Sequence, residues 1–191
     1  MKCDLCKEKD CRKGKDCVAV KEETLQAYEK EDRLIMEAAA YVEGTYYLQK
    51  NRVEELILFS QKMNYKRLGF AFCIGLAQEA SVLGDILRSH GFDVYSVCCK
   101  TGGVAKENFN LPKIKKEGYE VSCNPIMQAR LLDKKETELN IILGLCLGHD
   151  ILFTRHSRAP VTTLVVKDRL LAHNPCGALY SNYLRKKLIK S

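Results

Sequence analysis

NIILGLC, residues 140–146, reads as a strand buried on both faces. Ile141, Ile142 and Leu143 follow one another with no polar side to turn toward water, the pattern of a strand inside a parallel sheet. Three other runs share this character: RLGFAFC (67–73), DVYSVCC (93–99) and VTTLVVK (161–167). A weaker strand is expected in YEVSC (119–123). Helical text lies between the strands. QEASVLGDILRSHG (78–91) is a helix closed by Gly91, and PIMQARLLDKK (125–135) is one opened by Asn124 as N-cap and Pro125 at the first helical position. The same Asn-Pro opening at 174–175 predicts a terminal helix to about Lys187. Strands alternating with helices imply right-handed crossovers, hence an α/β fold: a three-layer Rossmann- or flavodoxin-like parallel sheet.

Ahead of the sheet the text is helical and then cysteine-rich. Leu25, Tyr28, Ile35, Ala39, Val42 and Tyr46 form one apolar stripe over about 21–42, with a break expected at Gly44. Val53, Leu56, Ile57 and Ser60 share one side of a second helix over 51–63. The expected organisation is therefore a Cys-rich metal-binding segment at 1–20 and an α/β domain at 21–191, with a helical lead-in at 21–64.

Composition narrows the function classes. The chain of 191 residues is 46% hydrophobic and 29% charged, as in ordinary soluble domains. It lacks a run of about 18 apolar residues, so no membrane partner is expected. The start MKCDLCKEKD has no apolar signal core, which points to the cytoplasm, where thiols stay reduced. Ten cysteines in that setting mean metal or thiol chemistry before a disulfide framework. The formal charge is +7, carried outside the first 50 residues. Basic runs such as LPKIKKEG (111–118) and LRKKLIKS (184–191) contain no interleaved stacking aromatics, which argues against nucleic acid. An anionic small-molecule or metal ligand remains compatible with the charge.

The cysteines fall where such sheets bind ligands, outside the carboxyl ends of the strands. Cys73 closes the first strand, Cys98 and Cys99 the second, and Cys146 the NIILGLC strand, while Cys123 and Cys176 precede or open helices. Helix N-termini favour the thiolate form at Cys123, Cys146 and Cys176. His149 and His173 lie near the same edge. The candidate catalytic residues are Cys146, His149 and His173. The candidate ligand-binding residues are Cys73, Cys99, Cys123, Gly102, Gly103 and Asp168. Thr101, Gly102 and Gly103 could form an anion-holding nest of N–H groups, and Lys167 and Arg169 beside Asp168 could receive an acidic ligand. A buried free cysteine is equally a small hydrophobe, so no single one of these is decisive.

The N-terminal stretch CDLCKEKDCRKGKDC carries Cys3, Cys6, Cys11 and Cys17 in a C-x2-C-x4-C-x5-C spacing. Four thiols among charged residues have no apolar company to pack with, so they are candidate metal ligands. Zinc and an iron–sulfur cluster of the 4Fe–4S type both take four thiolates, and the spacing leaves both open. A cluster would imply a redox partner protein.

Two resemblances bear on these residues. GLCLGHD (144–150) is similar to the GxCxGH nucleophile segment of class I glutamine amidotransferases, which implies Cys146 as a nucleophile on a strained strand-to-helix turn. That family's H-x-E pair has no counterpart here, since His173 is followed by Asn174 and Pro175. The second resemblance spans nearly the whole chain. The N-terminal cysteines, FCIGLAQEA (72–80), SVCCKTGG (96–103), CNPIMQA (123–129), GLCLGHD, SRAPVTTLVVKDR (157–169) and AHNP (172–175) occur in this order. Together they resemble an uncharacterised family of small proteins from anaerobes labelled metal-binding. It implies metal binding coupled to an α/β domain, and no particular reaction.

Three functions follow as expectations. One is a metalloprotein whose N-terminal site serves redox or metal/thiol chemistry in a Cys/His-lined crevice. Another is a cysteine hydrolase or amidotransferase-like enzyme using Cys146. A third is a zinc-stabilised ligand-binding module without chemistry.

Overall fold

The computed structural model describes residues 1–189. These divide into two compact units, Met1–Tyr47 and a second that begins at Leu48. The first holds short 3-10 turns at Cys3–Leu5 and Asp10–Lys13, then helices α1 (Lys21–Ala27) and α2 (Lys30–Tyr46). The single helix expected over 21–42 is thus two, parted at Tyr28 and Glu29. Gly44 lies inside α2 rather than breaking it, because α2 carries on to Tyr46 with glycine merely lowering its propensity. The buried positions of α2 are Ala38 and Val42, with Ile35 and Tyr46 partly covered, so the expected stripe holds except that Ala38 takes the place of Ala39.

The second unit is the α/β domain. Helix α3 (Arg52–Lys62) is followed by β1 (Arg67–Phe72), α4 (Ala77–Ser89), β2 (Asp93–Cys98), α5 (Pro125–Asp133), β3 (Leu139–Leu143), α6 (His149–His156), β4 (Val161–Val165), α7 (Cys176–Tyr180) and α8 (Asn182–Leu188). The four strands form one parallel sheet in the order β2-β1-β3-β4. The expected three-layer fold is therefore present. YEVSC makes only an antiparallel bridge, Ala105 to Val121, because the long excursion after β2 returns to α5 without adding a strand. The terminal helix is two short helices, since Ser181 is extended and caps α8 through Leu184 N–H.

Side-chain alternation explains the layers. In β1, Leu68 and Phe70 point to one face and Ala71 to the other; in β3, Leu139, Ile141 and Leu143 oppose Ile142. The first face packs on Leu56 and Ile57 of α3 and on Ala80, Leu83 and Leu87 of α4. The second packs on Ala129 and Leu132 of α5 and on Phe153 of α6. Chain order demands this split. The crossover from β1 to β2 runs one way across the sheet and that from β2 to β3 runs back, so right-handed connections put α4 and α5 on opposite faces. Phe153 is fully buried, and truncating it to alanine should cost about 3–5 kcal/mol.

Local signals hold each helix in place. Asn51 caps α3 by accepting from Val53 N–H (3.0 Å) and Glu54 N–H (3.1 Å), while its own N–H donates to Glu54 Oε2 (3.0 Å). This reciprocal box satisfies donors that the helix leaves open. Asn124 caps α5 by accepting from Met127 N–H at 3.2 Å, as its Asn-Pro sequence predicts. Asn174 makes no such bond; Pro175 occupies the cap of α7. No helix among the described residues is long and apolar enough to cross a membrane.

Candidate functional site at the carboxyl edge of the sheet

The strand order reverses between β1 and β3, and in open α/β sheets that switch point opens the ligand crevice. The chain supplies sulfur there from three strand ends. Cys73 directly follows β1, and its N–H donates to Leu143 O at 3.2 Å, extending the β1–β3 ladder by one residue. Cys99 follows β2; its N–H donates to Phe72 O (2.9 Å) and its carbonyl accepts from Asn124 N–H (2.8 Å). That last bond ties the start of α5, and with it Cys123, to the end of β2. Cys146 lies three residues beyond β3, not at the strand end as expected. Gly144 has φ +69°, which turns the chain out of the sheet early.

The Gly144–Gly148 turn then opens α6. Cys146 O accepts from His149 N–H (2.9 Å) and Asp150 N–H (3.1 Å), so the cysteine's backbone is fixed to the first turn of the helix. Its Sγ accepts a hydrogen bond from Arg169 Nη2 at 2.9 Å. Arg169 comes from the turn after β4, which Asp168 organises: Asp168 Oδ1 accepts from Leu170 and Leu171 N–H, both at 2.9 Å. His173 locks the same turn. Its N–H donates to Asp168 O (2.9 Å), and its Nδ1 accepts Asp168 N–H (3.2 Å), which leaves the ring proton on Nε2.

Cys99 and Cys123 are hydrogen-bonded through sulfur. The pair divides one charge. The Cys99 thiol stabilises a thiolate at Cys123, and the charges of Lys100 and His149 add to this against the cost of burial, pulling Cys123 down to about 5. Cys99 moves up, first because it is the donor to Cys123 and then because it is buried, although Ile74 N–H donates to its Sγ at 3.3 Å. Arg169 holds its proton more tightly than usual, chiefly through the Cys146 hydrogen bond and charge, with smaller contributions from Cys73 and Cys123. One guanidinium thus acts on three sulfurs.

The structure brings Cys73, Cys99, Cys123, Cys146 and His149 to one edge, with Asp168 and His173 in the turn beneath Arg169. Gly102 (φ +86°) and Gly103 (φ +60°) form a tight turn in which Gly103 N–H donates to Lys100 O at 3.1 Å. Cys176 opens the five-residue α7 and is exposed. In the other unit, Cys3, Cys6, Cys11 and Cys17 are all exposed free thiols. Among the described residues no group of three or more His, Cys, Asp or Glu side chains stands assembled to hold a metal ion.

Two contributors escape sequence reading. Lys100 follows the vicinal cysteines in CCK, an adjacency that signals charge beside sulfur; its Nζ also donates to Val121 O at 2.6 Å. Gln128 carries no signal. It is fully buried in α5, and its Nε2 donates to Val97 O (2.7 Å) and Phe72 O (3.3 Å), bracing the ends of β2 and β1.

Fold and site together define a cysteine-rich α/β protein with a doubly wound parallel sheet and a thiol-lined carboxyl edge. The chain belongs to the family described as "Protein of unknown function (DUF1847)", whose model matches residues 11–164. It is 52% identical to "Uncharacterized protein MJ0455" of Methanocaldococcus jannaschii over 192 residues, covering 100% of this chain and 99% of that one. Among solved structures it is similar to an anabolic ornithine carbamoyltransferase from Campylobacter jejuni, at 13% identity and a TM-score of 0.34. That match covers 74% of this chain and only 38% of the transferase.

Proposed function

We propose that this protein performs thiol chemistry at the carboxyl edge of its sheet, with Cys146 as the reacting sulfur. The observation that carries this reading is the Arg169 guanidinium 2.9 Å from Cys146 Sγ, on a side chain that is neither buried nor fully exposed. The guanidinium fixes the sulfur in one orientation and sets a positive charge beside it. Cys123 is held as a thiolate in the same crevice, and Cys99 keeps the proton beside it. An amidotransferase-like triad has less support, since His173 Nδ1 is committed to the Asp168 N–H.

The N-terminal cysteines support a second role beside this one. Residues 1–20 bury no side chain, and four of them are cysteines. Such a segment needs a cross-link to hold its shape, and four thiolates suit zinc or a 4Fe–4S cluster. With a cluster, the protein would exchange electrons with a redox partner protein; with zinc, the segment is a structural clip.

Alkylation of the reduced protein tests the thiol reading. Iodoacetamide at neutral pH, with labelling followed residue by residue by mass spectrometry, should modify Cys146 well ahead of Cys176, an exposed thiol that among the described residues takes no hydrogen bond from a cation. Cys146→Ser should remove the fast phase. Equal, slow labelling of Cys146 and Cys176 would overturn the reading.

A further inference from the structure

Three cations reach the sulfurs of the crevice, and two of them have a partner there. Arg169 faces Cys146, and Lys100 faces Cys123. Lys167 is left over. It lies two residues past β4, and its side chain runs back over the switch point: its Cδ is 3.7 Å from where a Cβ on Gly144 would stand, and its Nζ 3.3 Å from the same position on Gly75. The Gly75 position is also 3.9 Å from Cys73 Sγ. Lys167 therefore brings a positive charge to the ends of β1 and β3, beside the thiols.

Among the described residues, Lys167 donates no hydrogen bond and pairs with no carboxylate. The acids of the two adjoining turns bond backbone N–H groups. Asp168 Oδ1 takes the N–H groups of Leu170 and Leu171. Asp150 Oδ1 takes those of Gly148 and Ile151, both at 2.8 Å. Lys167 is itself partly buried, its stem laid along glycines. The stem packs while the ammonium at its end is left without a protein partner, free to meet an anion that enters the crevice.

We propose that Lys167 is the recognition cation for a small anionic substrate, a carboxylate or inorganic oxyanion, held at the β1–β3 switch point within reach of Cys146. This rests on the thiol reading for what happens to the substrate, but not for its binding. Glycine at 75 adds no side chain of its own between Lys167 Nζ and Cys73 Sγ, whereas the space at Gly144 is taken by Leu76. The reaction centre of the substrate faces the Cys146 sulfur while its charge faces Lys167, which orients it and raises its local concentration.

Two alkylating agents that differ by one charge separate the two ideas. An isolated thiolate in water reacts more slowly with iodoacetate than with iodoacetamide, because like charges repel. At Cys146 the ratio of the two rates should be reversed, while at Cys176 it should not be. Lys167→Met keeps the stem and removes the charge; it should lower the iodoacetate-to-iodoacetamide ratio at Cys146 by roughly tenfold, with the iodoacetamide rate little changed. Lys167→Arg should retain the ratio, and added salt should erode it. An unchanged ratio in Lys167→Met overturns the proposal.

A second readout does not involve the thiol. Inorganic phosphate should raise the thermal midpoint of the wild type and of Cys146→Ser, and should leave Lys167→Met unmoved at matched ionic strength. Equal stabilisation of Lys167→Met overturns the anion site. If Cys146 labels no faster than Cys176 while phosphate still requires Lys167, the thiol reading falls and the anion site stands.

Discussion

Arg169 Nη2 and Cys146 Sγ are 2.9 Å apart, joining the turn after β4 to the turn after β3 across the carboxyl edge of the sheet. The contact depends on both turns. Asp168 and His173 set where Arg169 begins, and Gly144 sets where Cys146 ends up. Replacing Arg169 with glutamine keeps a donor but removes the charge. Alkylation of Cys146 by iodoacetamide at neutral pH should slow by roughly twofold to fivefold, since a charge pair with an exposed guanidinium is worth about 0.5–1 kcal/mol. Arg169→Lys should lose less. Circular dichroism should be the same for all three proteins, because Arg169 is exposed and lies outside the core.

The Cys99–Cys123 pair makes stability depend on pH in a defined direction. Cys123 is pulled down to about 5 in the folded protein, from an ordinary value near 9 when unfolded. Between those values the unfolded chain binds more protons at this position, so stability rises with pH. The contribution is complete above about 9 and is lost as pH falls through about 5. Cys99 moves the other way: kept protonated in the folded state, it costs stability once the unfolded thiol begins to ionise. Urea melts of wild type against Cys123→Ser should diverge increasingly from pH 5 toward pH 9. Thiolate absorbance near 240 nm should titrate close to 5 in the wild type and lose that step in Cys123→Ser.

Gly144→Ala should injure both stability and the site. The new Cβ would stand 2.0 Å from Leu76 Cδ1, and the backbone there has φ +69°. Leu76 is 3% exposed and has little room to withdraw. A loss of about 2–4 kcal/mol is expected from strain and overpacking together. Equilibrium unfolding measures it. Cys146 should also become a less selective target in the alkylation assay, because its turn is displaced from Arg169.

Metal content decides the N-terminal role. Protein purified without oxygen should contain either about four irons and four acid-labile sulfides with visible absorption, or one zinc and no colour. Cys3→Ser with Cys6→Ser should abolish whichever is bound. Full metal content in that double variant would remove the N-terminal cysteines from consideration as ligands.

The sequence by itself determined the sheet. Unbroken apolar runs such as RLGFAF and LNIIL can only be strands covered on both faces, and helices between them force parallel crossovers. Because ligand crevices open at strand carboxyl ends, the cysteines that follow β1, β2 and β3 were legible as a group. Local caps were legible too where a side chain closes its own helix, as at Asn51 and Asn124. What the sequence left undetermined depends on distance through space. Nothing in the string says that Arg169 reaches Cys146, that Cys99 bonds Cys123 across 24 positions, or that the His173 ring accepts the Asp168 N–H. Nor does it say that Lys167 lies over Gly75 and Gly144. Those pairings exist only because strand order β2-β1-β3-β4 sets the ends of distant strands side by side. A hydrogen bond between side chains so far apart along the chain is fixed by that packing, and no local pattern encodes it.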